Sequence, residues 1–242
     1  MKTLLIKQPA GLGDICFLQK LATEQQNWYG YEVYWPISPV YAGLDNYINN
    51  FHYPSLNEDF PFKEDYLQCT CDSQVKTDNF KIICTDGASG PNGVMKSKYE
   101  LVDQRWERWQ DYFHFTRNHK KENELYYDAL NLKDSEEYIF INDYMGTPPN
   151  DITKLDLCPD TIGKKIKLEF IEGFSLFDWC KVVENALEIY IEGSALAYII
   201  EHLNIKSKEL FLFSRNHKHI EGVFNKRWKK MYTNKHQNFK DL

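Results

Sequence analysis

The feature that most constrains this chain is its opening. Thr3 to Lys7 reads as a short buried strand and leads directly into the turn-rich Gln8-Pro9-Ala10-Gly11-Leu12-Gly13-Asp14. A helical pattern follows, with Ile15, Leu18, Ala22 and Gln25 on one side and Gly30 near its end. Glu32-Val33-Tyr34-Trp35 then reads as a second strand, stopped by Pro36 and Pro39. Strand, glycine turn, helix and strand within about 30 residues is the spacing of a parallel crossover, so the chain is expected to build an α/β sheet.

Further along, Tyr41 to Phe51 reads as a short helix, and Phe51 to Phe62, broken by Pro54 and Pro61, as irregular. Phe80-Lys81-Ile82-Ile83-Cys84 is a strand, and Asp86 to Gly93 is the most loop-like stretch of the chain. Lys96 to Leu132 is expected to be helical, with Trp106, Trp109 and Phe113 at three- and four-residue spacing.

Alternation then restarts with strands at Tyr138 to Asn142 and Lys165 to Ile171. Ser175-Leu176-Phe177-Asp178 has the form of a helix start, and a helix is expected through Trp179, Val182, Val183 and Ala186. Leu187 to Ile191 is a strand, Ser194 opens a helix through Leu203, and Glu209 to Ser214 is another strand. Two such series predict paired Rossmann-like domains facing each other across a cleft, over residues 1–120 and 121–242.

Composition narrows the function. With 43% hydrophobic, 26% charged and 15% aromatic residues, the chain is neither low-complexity nor disordered. No apolar stretch approaches the ~20 residues of a membrane-spanning helix, and no secretory leader is read after Met1. The net charge of −6 is uneven, because residues 215–242 hold eight Lys or Arg against two acids. An acidic body argues against broad nucleic-acid binding. The basic tail, with Trp228 and Tyr232 among its cations, is expected to form a C-terminal helix lying back across the domains, with contact to nucleic acid or an anionic surface as the competing view.

Six cysteines are scattered, several within apolar runs, which suggests a reducing, cytoplasmic setting. Cys69-Thr70-Cys71 lacks a second ligand pair, and His202, His217 and His219 lie far along the chain, so no metal is expected. A Cys–His hydrolase built on Cys16 is disfavoured, because Cys16 falls within an apolar helical pattern.

Two segments carry candidate chemistry. Gly11 and Gly13 let the backbone approach a ligand, and Asp14, at the carboxyl edge of the first strand, is placed to act as a general base toward an acceptor hydroxyl. The bland alternative is a turn with Asp14 as helix cap. The second segment is Glu192-Gly193-Ser194-Ala195-Leu196-Ala197, where Gly193, Ser194 and Ala195 could seat a diphosphate at a helix start and Glu192 could accept sugar hydroxyls. Its bland alternative is a strand-to-helix turn with a serine cap. Asn142-Asp143 occupies the matching edge after the Tyr138 strand. Arg215 at the end of the last strand, Lys218 just beyond it, and Lys7 and Lys20 beside the N-terminal loop are the cations near these edges. Glu201 reads as a solvated helix residue, and Asp86 to Gly93 as the place to look for acceptor contacts.

The opening strand with Gly11-Leu12-Gly13-Asp14, together with Phe177-Asp178-Trp179, Glu192-Gly193-Ser194 and Glu201, resembles GT-B-type glycosyltransferases related to the heptosyltransferase family. The resemblance implies two Rossmann-like domains enclosing a nucleotide sugar held mainly by the C-terminal one, Asp14 as catalytic base, and Gly193 to Ala195 against the donor diphosphate. The partners would be a nucleotide sugar and a glycan or other hydroxyl acceptor, with no cofactor. The resemblance also implies cations facing the departing diphosphate, with Arg215 the best placed and Lys218, Lys7 and Lys20 as further candidates. The chain departs from the family's Asp-x-Gly-x-x-His donor signature, which lacks its His here. A non-catalytic nucleotide- or sugar-binding module of the same fold is the alternative.

Overall fold

The computed structural model describes residues 2–70, 73–88, 90–145, 153–154, 157, 163–214 and 220–232. The chain divides between Thr116 and Arg117 into two units.

The first unit opens with β1 (Lys2–Lys7), whose Leu4, Leu5 and Ile6 are completely buried. Burial on both faces explains an apolar run without alternation. Helices α1 (Leu12–Phe17) and α2 (Gln19–Tyr29) follow, separated by one non-helical residue at Leu18. Gly30 ends α2 in the left-handed region at φ 69°, and its N–H donates to Gln26 O at 2.8 Å. After β2 (Tyr31–Tyr34) come two short 3₁₀ turns, Pro39–Tyr41 and Leu44–Asn46, in place of the helix expected over 41–51. Then come α3 (Lys63–Gln68), β3 (Ser73–Lys76) and β4 (Phe80–Cys84). The sheet order is β2-β1-β4-β3, with β3 antiparallel and the rest parallel.

Lys96 to Leu132 is not one helix. Helix α4 (Val94–Glu100) ends in turns where Asp103 and Arg108 take left-handed φ of 53° and 62°, which stops helix propagation. Trp109 and Phe113 are nonetheless buried. Trp109 packs edge-on against Phe17 at 5.5 Å, and Tyr99 packs on the same ring at 5.2 Å.

The second unit begins with α5 (His119–Asn123), which runs into a π-helical turn, Glu124–Ala129. The arginine that opens the unit, Arg117, joins buried Glu122 to Glu184. Next come β5 (Tyr138–Asn142), a small antiparallel pair β6 (Tyr144–Met145) and β7 (Thr153–Lys154), and β8 (Lys164–Lys167). Strand β8 is shorter than expected, leaving Phe170 exposed.

The Ser175–Asp178 capping box forms as read: Ser175 N–H donates to Asp178 Oδ2 at 2.7 Å. It opens a 3₁₀ turn, Leu176–Trp179, that continues as α6 (Cys180–Asn185). The rest is β9 (Glu188–Glu192), α7 (Ala195–Ile200), β10 (Glu209–Ser214) and β11 (Lys229–Tyr232).

The five-stranded sheet is wholly parallel, in the order β11-β10-β9-β5-β8. Counted along the unit from β5, this is the second-first-third-fourth-fifth order of a doubly wound fold. Where a basic C-terminal helix was expected, Lys229–Tyr232 is instead the edge strand. Lys229 pairs with Glu209 at 2.7 Å and covers the ring of Phe211, which holds the segment extended along β10. No helix among the described residues is long and apolar enough to cross a membrane.

Candidate functional site

In an open parallel sheet, ligands bind beyond the carboxyl ends of the strands, where successive connections leave to opposite sides. In the first unit that switch lies between β1 and β4. Thr85, just past β4, donates its hydroxyl to Gln8 Oε1, just past β1, at 3.0 Å. The Thr85 N–H donates to Lys7 O at 3.1 Å. The same Gln8 oxygen accepts from Lys98 Nζ at 2.6 Å, and Lys98 also donates to Asp14 Oδ1 at 2.6 Å. Lys98 is buried and reaches this point from α4.

Asp14 sits in the first turn of α1, where the helix dipole favours a carboxylate, but it caps nothing. Gly11 precedes the helix at φ 86°, and a Cβ built on it would lie 2.1 Å from Asp14 Oδ2. Glycine is therefore required twice, by the backbone angle and by the carboxylate folded over it. The Gly11 N–H donates to the Tyr41 hydroxyl at 2.9 Å, and Gly13 lies within α1.

The switch of the second sheet lies between β5 and β9. Buried Asn142, the last residue of β5, donates from Nδ2 to Ser194 Oγ at 3.0 Å. Ser194 occupies the N-cap position of α7 but makes no side-chain capping bond, because its hydroxyl serves Asn142. The Gly193 N–H donates to Phe213 O at 2.8 Å and the Ser194 N–H to Glu192 O at 2.7 Å. Of the three positions read as a diphosphate seat, Ala195 alone thus keeps a helix-start N–H. Glu192 is buried at the end of β9, Gly193 is exposed, and Ser194 and Ala195 are half-buried.

Beside Asn142, buried Asp143 pairs through Oδ2 with Lys167 at 2.9 Å, while its Oδ1 meets no donor among the described residues. The neighbours of this pair, Tyr144 and Leu168, line a cavity of about 520 Å³ together with Phe170, Phe174, Leu176 and Trp179. Its walls are chiefly apolar and aromatic, the composition of a pocket for a planar ring.

Other sequence candidates are used elsewhere. Lys7 donates to Tyr66 O and Cys69 O, each at 2.7 Å, closing the carboxyl end of α3. Lys20 donates to Glu107 O at 2.6 Å. Glu201 is no solvated helix residue: it accepts from Asn225 N, Lys226 N and Trp228 Nε1, the last at 2.8 Å, and fastens that segment to the end of α7. Arg215, Lys218, His217, His219 and Cys71 lie outside the described residues. Cys16 is buried and free, and burial, with the Asp14 charge, pushes its thiol pKa well up, opposite to what a nucleophile needs.

Gln8, Thr85, Lys98 and Lys167 were missed in the sequence. A lysine in a charged helical stretch reads as surface, and only the three-dimensional meeting of β1, β4 and α4 shows otherwise.

The fold so described is an α/β chain whose second unit is doubly wound. No family model matches the chain, and no curated protein matches it. Among solved structures it is similar to the crystal structure of the glycosyl transferase family 9 from Veillonella parvula DSM 2008. The TM-score is 0.50 and the identity 8%, over 88% of this chain and 80% of that one. The likeness shows a shared fold.

Proposed function

We propose that the protein is a glycosyltransferase that moves a sugar from a nucleotide-diphosphate donor to an acceptor hydroxyl. The donor is held by the second unit and the acceptor by the first, in the GT-B-like, cleft-facing arrangement that the sequence resemblance implies. One observation carries the reading: the switch point of the second sheet, where Asn142 reaches Ser194, lies at the same strand edge as Tyr144 and Leu168 in the aromatic-lined cavity. In this reading the nucleobase packs in the cavity lined by Phe170, Phe174 and Trp179, and the diphosphate extends toward Ser194 and Ala195. The similarity to a glycosyl transferase family 9 structure supports it.

In the reaction, the bond from the sugar's anomeric carbon to the diphosphate oxygen breaks and a bond to the acceptor oxygen forms. Asp14 takes the acceptor proton on Oδ2, the oxygen that Lys98 leaves open. The leaving diphosphate carries the bond's electron pair, so stabilising its charge is the main electrostatic task, which falls to Arg215 and the start of α7.

A second reading, a non-catalytic binding module, is favoured by the Lys98–Asp14 pair, which gives the carboxylate a structural use. A thermal-shift panel of UDP, ADP, GDP and CDP, followed by a nucleoside-diphosphate release assay with the matching nucleotide sugars, separates the two. Stabilisation with release supports the transferase, stabilisation alone supports a nucleotide-binding module, and no stabilisation overturns both of these.

A further inference from the structure

The first unit holds a second cavity, about 270 Å³, beyond the carboxyl end of β2. Its lining includes Ile37, Ser38, Tyr53 and Ser55 together with the exposed acids Asp45 and Glu58. The walls are fixed. The Tyr53 hydroxyl donates to Asn50 Oδ1 at 3.0 Å and accepts from Gln19 Nε2 at 3.1 Å. The Ser55 N–H donates to Glu58 Oε2 at 3.1 Å. Main-chain bonds from Ile37 N to Pro54 O and from Leu56 N to Ile37 O, both 2.9 Å, clamp the two sides together.

The cavity belongs to the same hydrogen-bonded piece as the Asp14 turn. Ser38 N–H donates to Pro9 O at 2.8 Å, and Tyr41, one 3₁₀ turn on, holds the Gly11 N–H. Its size is just below the ~300–1,000 Å³ of sites for drug-sized ligands, which suits a single ring. Carboxylates and serine hydroxyls pair with adjacent sugar hydroxyls, and an aromatic wall suits the C–H face of a pyranose. Among the described residues the lining includes two acids and no Lys, Arg or His. The ammonium of nearby Lys63 is turned to the main-chain carbonyl of Glu58.

We propose that this cavity seats an uncharged monosaccharide ring and disfavours rings that bear a carboxylate. Its role as the acceptor end rests on the glycosyltransferase reading; the binding of the ring does not. The two carboxylates set the selectivity, because each repels an incoming anion within several ångströms, most strongly at low ionic strength, where exposed charges are least screened.

The test is amide NMR on the full chain, without nucleotide, using methyl glycosides of glucose, galactose and mannose, each paired with its uronic acid counterpart. At least one neutral glycoside shifts the amides of Ser38, Asp45 and Ser55 saturably, and its uronic acid binds roughly fivefold or more weakly. The variant Asp45→Asn/Glu58→Gln brings that pair to within about twofold, and its spectrum shows that the fold is kept. Neutral glycosides that leave these amides unmoved, or a uronic acid that binds the native chain equally well, overturn the proposal. Failure here with intact nucleotide stabilisation removes the cavity from the account and leaves the donor site. Sugar binding without nucleotide stabilisation does the reverse.

Discussion

Lys98 Nζ lies 2.6 Å from Asp14 Oδ1 and 2.6 Å from Gln8 Oε1, so the residue proposed as base is also the counter-charge of a buried ammonium. The second unit repeats the scheme in other residues. An amide meets a hydroxyl at the switch point, Gln8 with Thr85 in one and Asn142 with Ser194 in the other, and a lysine–aspartate pair lies alongside, Lys98 with Asp14 and Lys167 with Asp143. Parallel strands end there with main-chain groups unsatisfied, and short polar side chains tie the edges together while keeping the ligand side polar.

Asp14 therefore cannot be tested by one substitution. Asp14→Asn keeps a hydrogen-bond acceptor for Lys98 but removes its charge, and should cost roughly 2–3 kcal/mol, below the ~3–5 kcal/mol of stripping a fully buried charge of its partner. Asp14→Asn/Lys98→Met should regain most of that loss in urea unfolding. If Asp14 is the base, transfer stays abolished in the restored double variant, while Lys98→Met alone retains measurable turnover. Turnover in the double variant rejects the role.

Gly11→Ala should be among the most damaging single-atom additions in the chain. A left-handed alanine costs about 1–3 kcal/mol, and its Cβ also displaces Asp14 Oδ2. In the cycle Gly11→Ala, Asp14→Ala and both together, unfolding free energies should be non-additive, with the double variant more stable than the sum of the singles. Simple additivity would show that the carboxylate does not lie over Gly11.

How much of this was legible follows from the residues. The central strands were readable because Leu4 to Ile6, Ile82 to Cys84, Ile139 to Ile141 and Ile189 to Ile191 are buried in parallel sheets and leave nearly unbroken apolar runs. The Ser175–Asp178 box is local chemistry and was equally plain. The 96–132 stretch misled because Trp106, Trp109 and Phe113 keep helical spacing in a segment that left-handed Asp103 and Arg108 break, and neither residue type announces that conformation. Asn142 and Ser194 were each noticed as strand-end residues. Their bond spans 52 positions and is invisible to any local pattern. Glu201 and Lys98 look solvated in sequence and are committed to distant partners in the fold.

Asn142→Ala and Ser194→Ala should each lower stability by about 1 kcal/mol, the ordinary worth of one such hydrogen bond, and the pair should couple in a double-mutant cycle. Under the proposed function both also weaken nucleoside-diphosphate binding several-fold by calorimetry, whereas Glu201→Gln, which acts on the 225–228 segment, lowers stability and leaves nucleotide affinity unchanged. Loss of affinity in Glu201→Gln equal to that in Asn142→Ala would move the donor site away from the β5–β9 edge.

Alkaline pH should destabilise the protein from about pH 8.5 upward. Burial raises the thiol pKa of Cys16 and Cys180; the Asp14 charge adds to it at Cys16 and that of Glu122 at Cys180. The unfolded chain releases these protons near the ordinary thiol value of ~8.5 while the folded chain retains them, so above that pH the unfolded state binds fewer protons. Stability is therefore intact below ~8.5 and falls as pH climbs toward the raised folded values, by up to about 1.4 kcal/mol per pH unit for each thiol. Above ~10 the decline steepens as unfolded tyrosines ionise, since Tyr53, Tyr66 and Tyr138 are also pushed up by burial. Urea midpoints measured from pH 7 to 10.5 should trace this curve, and Cys16→Ala/Cys180→Ala should start lower but run flatter between 8.5 and 10. Iodoacetamide at pH 8 should label neither thiol until urea is added. A native profile flat to pH 10, or prompt labelling of Cys16 in the folded protein, would place that thiol in contact with solvent and reopen a nucleophilic role for it.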